Sequence, residues 1–231
     1  MLFILYYPVQ VNNKENKMSA TDKLLAGYHR FREGYYQENQ EQLFKLAKEG
    51  QFPKIAIVSC SDSRVDPSVI LDCEPGDLFV IRNVANLVPP CEDDESYHGT
   101  SAALEFAVTG LEVESIIVLG HTQCGGIKSL IDNADNKDKK VNKSFITKWM
   151  KQLEEVRDEI IADETLVDQK SRYSCCEKKG IQHSLDNLMT FPWIKERVEA
   201  GTLKLHGWRY DLYSSELCAL NEKEQSFIRI S

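Results

Sequence analysis

Two short apolar runs, Ile55 to Val58 and Ile116 to Leu119, constrain this chain more than any other feature. Both are rich in β-branched residues and free of polar interruptions, the pattern of strands buried on both faces in a parallel sheet. Short apolar strands alternate with helical segments along the chain, which implies right-handed crossovers. The fold class is therefore α/β, with a mainly parallel central β-sheet flanked by helices. In such a sheet, sites are built in the crevice beyond the carboxyl ends of the strands. Cys60-Ser61-Asp62-Ser63-Arg64 follows the first run, and His121-Thr122-Gln123-Cys124-Gly125-Gly126 follows the second.

The remaining elements are placed by period and punctuation. Residues 20–49 read as one or two amphipathic helices with Phe31, Tyr35, Leu43, Phe44, Leu46 and Ala47 as apolar anchors, ended by Gly50. Asp66-Pro67 opens a short helix through Leu71, and Glu74 to Asp77 turns into a strand from Leu78 to Arg82. Thr100 to Leu111 is a helix with Ala103, Phe106, Ala107 and Leu111 on one face. Asp132 to Lys143 reads as a solvated loop. Ser144 caps a helix to about Ile161. A polar stretch, 163–179, leads to helices near 180–189 and 192–200, and Leu203 to Leu220 reads as a strand or hairpin turning at Ser214-Ser215.

Composition removes several function classes. With 42% hydrophobic and 28% charged residues the chain is not a disordered one. A net charge of -8 argues against a nucleic-acid partner, which needs a basic face. Residues 1–11 are apolar but too short to span a bilayer, no other segment approaches that length, and no membrane partner is expected. Met18-Ser19-Ala20 resembles a natural start, so 1–18 is expected to be an extension tail and 19–231 a single domain. Seven cysteines, odd in number and dispersed, fit reduced thiols in the cytoplasm rather than a disulfide framework. Cys175-Cys176, in the polar stretch, read as solvent-near thiols.

Reduced thiolates are zinc ligands. Cys60, His121 and Cys124 supply three ligands and leave one position open, the count of a catalytic zinc site. His121 and Cys124 are three apart, so one tight turn can present both, while Cys60 comes from the neighbouring strand end. Gly125-Gly126 permits close backbone approach at the following helix start. A phosphate loop is disfavoured because the run lacks a Lys-Ser/Thr ending. Asp62 and Arg64, two apart, are placed to form a charge-assisted pair.

CSDSR at 60–64 and HTQCGG at 121–126, with RNVAN at 82–86 and GQFPK at 50–54, resemble the β-class carbonic anhydrases. The resemblance is close from about residue 28 to 131 and looser to Trp208. It implies one Zn2+ per chain on Cys60, His121 and Cys124, with Asp62 and Arg64 as the catalytic dyad. Substrate contacts would come from Gln51, Phe79, Val84, Tyr97 and Gly125. The implied reaction is reversible hydration of CO2 to bicarbonate by attack of zinc-bound hydroxide, whose O–H donates a hydrogen bond to Asp62. Gln51 matches the plant-type, open-site branch, and Ile57 stands where another branch carries the Trp of a bicarbonate regulatory site. The family further implies a homodimer or higher homo-oligomer, N-terminal helices that extend onto a partner, and pockets lined by both subunits. His98, beside Tyr97, is a candidate for moving protons to solvent. Rival readings are a CS2 or COS hydrolase on the same fold and a non-catalytic zinc-binding scaffold.

Overall fold

The computed structural model describes residues 18–92, 94, 96–134, 144–221 and 223–230. All of the expected tail 1–18 except residue 18, and most of the expected loop at 132–143, lie outside them. The chain forms two compact units, one ending at Gly50 and the other beginning at Gln51.

The first unit holds three helices: α1 (Ala20–Glu33), α2 (Tyr35–Glu38) and α3 (Gln40–Glu49). Ser19 and Asp22 cap α1 reciprocally, each side chain accepting from the other's backbone amide. Gly50 ends α3 at φ 97°. None of these helices buries a side chain. Of the expected anchors, Phe31, Phe44 and Ala47 are exposed, and Tyr35, Leu43 and Leu46 are half-buried.

The second unit is built on one six-stranded sheet. Its strands are β1 (Ile55–Cys60), β2 (Leu78–Asn83), β3 (Ser115–His121), β4 (Lys204–Tyr210), β5 (Leu217–Asn221) and β6 (Ser226–Arg229), in the order β2-β1-β3-β4-β5-β6. The first four pair in parallel and the last two add antiparallel, so the expected α/β class is borne out. Strands β1 and β3 are central and bury nearly every residue, as their uninterrupted apolar character requires. Successive residues alternate between faces. Ala56, Val58, Ile116 and Val118 enter one core cluster, while Ile57, Ile117 and Leu119 form another.

Helices α4 (Pro67–Ile70), α5 (Gly99–Glu105), α6 (Gly125–Asp132), α7 (Phe145–Met150), α8 (Glu154–Ala162), α9 (Gln169–Leu188) and α10 (Pro192–Glu199) complete the unit. Several expectations are corrected. The helix expected over 100–111 widens to a π turn at Phe106–Gly110, where Leu111 N–H bonds the Phe106 carbonyl. Phe106, expected inward, is exposed; it stands two residues from the fully buried Leu104, on the opposite side of the helix. The helix expected from Ser144 to Ile161 is interrupted by a 3-10 turn at Lys151–Leu153. Strand β6 was not anticipated.

The largest correction is α9, a single 20-residue helix that includes most of the expected polar stretch. Its buried stripe is Cys176, Glu177, Gly180, Ile181, Ser184 and Leu188, at three- and four-residue spacing. Only Ile181 and Leu188 are large and apolar, so hydropathy conceals the period. Cys176, expected near solvent, is fully buried. The helix lies close to the sheet because glycines receive it. A Cβ on Gly120 of β3 would stand 2.6 Å from Ile181 Cδ1, and one on Gly207 of β4 would stand 2.9 Å from Ile181 Cγ2.

Candidate metal centre

Three ligand types converge where β1 and β3 end. Cys60 is the last residue of β1 and His121 the last of β3. The turn after His121 is tied to the end of β4, where Thr122 N–H bonds the Tyr210 carbonyl and Leu212 N–H bonds Thr122 Oγ1. Gln123 then takes a left-handed conformation, φ 60°, which brings Cys124 back toward Cys60 as the residue preceding α6. The ligand atoms of Cys60, His121 and Cys124 lie within 4.8 Å of one another, and all three residues are buried.

The donor set fits a zinc ion. The two Sγ atoms stand 3.9 Å apart, too far for a disulfide and close to the roughly 3.8 Å spanned by two sulfurs at about 2.3 Å from a tetrahedral metal. His121 Nδ1 is 2.8 Å from the Thr122 carbonyl oxygen. An oxygen of that kind only accepts, so Nδ1 carries the proton and Nε2 keeps its lone pair. Nε2 is buried with no hydrogen-bond partner among the described residues. An orphaned acceptor beside two thiols is what a metal ligand looks like without its metal.

The thiols press for a cation as well. The contact with Cys124 holds the Cys60 thiol down to about 4 against burial. That same contact, burial and the Cys60 charge push the Cys124 thiol upward. One proton leaves readily and the second resists until a positive charge arrives.

Asp62 and Arg64 sit at the edge of this cluster. Arg64 donates from Nε to Asp62 Oδ1 at 2.9 Å and from Nη2 to Oδ2 at 2.6 Å, and its backbone N–H adds a third bond at 3.0 Å. These bonds hold the Asp62 carboxyl well below the usual carboxylate range. Arg64 Nη2 also reaches the Gln123 carbonyl at 3.1 Å, linking the two motifs. Arg82, noticed in the sequence only as part of RNVAN, clamps the first motif from β2. It donates to the Cys60 carbonyl at 3.0 Å, the Asp62 carbonyl at 2.7 Å and Asp66 Oδ2 at 2.8 Å.

Among the expected substrate contacts, Val84 packs against the cluster that holds Cys60 and Cys124, and Gly125 follows Cys124 directly. The other three do not belong to that cluster. Gln51 is exposed and precedes β1, at the opposite end of the strand from Cys60. Phe79 pairs with Ala56 near the start of β2, packs on the core and meets the Phe106 ring at 5.8 Å. Tyr97 is fully exposed. His98 Nε2 is 2.7 Å from Asp94 Oδ1.

Sequence reasoning missed a buried ion pair behind the turn. Glu177 of α9 meets Arg209 of β4 at 3.0 Å and accepts from Gln123 N–H at 2.7 Å. Burial pushes the Glu177 carboxyl up, and Arg209 and the turn amides pull it back. No hydropathy signal could have found it, because Glu177 lay in the stretch read as polar.

The carbonic anhydrase family profile matches residues 55–217. The chain is 38% identical over 201 residues to the chloroplastic β-carbonic anhydrase 5 of Arabidopsis thaliana, covering 86% of this chain and 64% of that protein's length. Its fold is similar to the solved β-carbonic anhydrase CcaA, with TM-score 0.83 and 33% identity over 91% of this chain and 92% of that one. A tetrameric β-carbonic anhydrase of the fungus Sordaria macrospora aligns with TM-score 0.75 and 29% identity, over 87% of this chain and 96% of that one. With the zinc-fitting cluster at the strand ends and this kinship along most of its length, the chain belongs to the β-carbonic anhydrase family.

Proposed function

We propose that the chain catalyses reversible hydration of CO2 to bicarbonate and a proton. The observation that carries this reading is the convergence of Cys60, His121 and Cys124 beside an Asp62 held by Arg64. Cys60, His121 and Cys124 are assigned as the ligands of one Zn2+ per chain. When bound, zinc supplies the Lewis acidity that makes water a nucleophile near neutral pH.

The chain's own groups do the rest. Asp62, ionised and acceptor-only, takes a hydrogen bond from the reacting water and so aims its lone pair at the carbon of CO2. Arg64 holds both carboxylate oxygens, which would keep them from binding the metal, as the open-site branch requires. Val84 would supply an apolar wall for CO2, the Gly125 main chain would face a bound oxygen, and the Gln51 of a second copy would steady the oxygen on which charge develops. The proton passes to buffer.

Gln51 lies at the far end of β1, Phe79 packs on the core and Tyr97 is fully exposed beside Val84, so we assign them to a pocket shared with a second copy. Support comes from the exposed apolar side chains of α1 and α3, among them Leu24, Leu25, Tyr28, Phe31 and Phe44, and from the tetrameric Sordaria relative. In this reading 19–231 is one domain whose N-terminal helices reach a partner, and 1–18 is an extension. Seven free thiols suit a reducing compartment, here the cytoplasm; no described helix is long and apolar enough to cross a membrane.

Stopped-flow CO2 hydration with metal analysis on one preparation tests the proposal. Zinc near one per chain with rapid hydration is expected, and zinc-loaded protein without hydration would refute it.

A further inference from the structure

The Glu177–Arg209 pair has no part in the chemistry described so far, and its stability value is a weak reason for its presence. Taking two charges out of water is expensive, and apolar residues of similar volume often replace such a pair without loss. Glu177 is only 5% exposed. Arg209 Nη2 donates to its Oε2 at 3.0 Å and to Ser174 Oγ at 3.3 Å. The other carboxylate oxygen, Oε1, accepts from Gln123 N–H at 2.7 Å.

That N–H shares one planar trans peptide with the Thr122 carbonyl, so the two bonds point in opposite directions. The Thr122 carbonyl is the acceptor for His121 Nδ1. Carboxylate, peptide and imidazole therefore form one line: Glu177 Oε1, N–H of 123, C=O of 122, Nδ1–H of His121. A carboxylate on the amide polarises the peptide and makes its carbonyl a stronger acceptor. Gln123 also sits at φ 60°, uncommon for a residue with a side chain, and so gains from an external hold. Its own carbonyl accepts from Arg64 Nη2.

We propose that Glu177, anchored by Arg209, is a positioning residue of the metal centre. Through the Thr122–Gln123 peptide it fixes the ring orientation and tautomer of His121, and through the Gln123 main chain it steadies Arg64. The inference rests on the assignment of Cys60, His121 and Cys124 as zinc ligands. Histidine ligands commonly donate their second nitrogen to a carboxylate or carbonyl, and here the two partners act in series.

The test compares full-length zinc-loaded wild type, Glu177→Gln and the double variant Glu177→Met/Arg209→Met. Zinc release to excess chelator is measured beside thermal unfolding and the NMR signal of the His121 Nδ1 proton. The double variant removes both charges at nearly constant volume and should unfold close to wild type. It should still release zinc about 10-fold faster, the low end for outer-shell partners, and its Nδ1 proton should exchange faster. Glu177→Gln keeps an acceptor for Gln123 N–H and should fall between. Wild-type zinc release in the double variant overturns the inference, as does wild-type release in Glu177→Gln if the double variant does not fold. A wild-type protein that binds no zinc overturns the ligand assignment itself, a result that metal analysis distinguishes.

Discussion

Gly120→Ala tests the seat on which α9 approaches the sheet. The new Cβ would stand 2.6 Å from Ile181 Cδ1 and 2.8 Å from Cγ1, against an optimal carbon–carbon separation of about 3.5–4.0 Å. Roughly 1 Å must be found, and Ile181 has little room to yield. It is wholly buried, and its Cγ2 already faces Gly207 on the next strand. Overpacking of this kind costs about 1–3 kcal/mol, which for a chain of this size lowers Tm by roughly 2–12 °C. Ile181→Val removes Cδ1, the nearest atom, and alone costs about 0.5–1.5 kcal/mol. The two changes should therefore couple, with the double variant about 1 kcal/mol more stable than the sum predicts. Urea unfolding of the four proteins of the cycle measures this directly. Additivity within about 0.5 kcal/mol, or a Gly120→Ala protein as stable as wild type, would refute the close-contact argument.

Cys60→Ser should lose zinc and hydration together, and stoichiometric zinc in that variant would remove Cys60 from the ligand set. Arg64→Ala frees Asp62 from its two side-chain bonds; hydration should fall by at least about 100-fold, the low end for a positioned proton-transfer group, and retained turnover would argue against the dyad. Asp168 caps α9 by accepting from Ser171 N–H and Oγ, which lowers its carboxyl. Its contribution is then complete above the ordinary carboxylate range, near pH 4, and fades as pH falls through the lower folded value. Asp168→Asn should lessen the acid sensitivity in that window, and an acid-unfolding curve unchanged by the substitution would speak against the cap. Light scattering of a protein starting at Met18 should show a dimer or larger, and an active monomer would refute the shared pocket.

The sequence was most legible where one physical signal dominated. Strands β1 and β3 declared themselves because burial on both faces leaves no polar residue to confuse the period, and Cys60, His121 and Cys124 followed from their placement after those strands. Asp62 and Arg64 were readable as a local pair. Legibility failed where structure depends on partners remote in the chain. The buried face of α9 uses Cys, Gly, Ser and Glu because glycines on β3 and β4 admit it closely, so its residues read as polar until the sheet is in view. Glu177 became visible as a site neighbour only through Gln123, 54 residues away. The π turn at Phe106–Gly110 likewise has no counterpart in a 3.6-residue period. Arg82 was legible as a motif letter, but its three bonds across β1 were not.

The grip of Arg82 has a consequence for how much information the Cys60–Arg64 motif carries. Two of its three bonds go to main-chain carbonyls, those of residues 60 and 62, which any amino acid would provide. The path of this loop is thus encoded partly on another strand, by a residue twenty positions from Asp62, and within the motif by Asp62 and Arg64, not by the two serines. Ser61 and Ser63 are exposed, and no side-chain hydrogen bond ties either of them to another described residue. A library randomised at 61 and 63 should therefore return almost every small or polar residue in active clones, while position 82 returns arginine alone. The apparent five-letter word is three letters long, and its missing letter is written elsewhere in the chain.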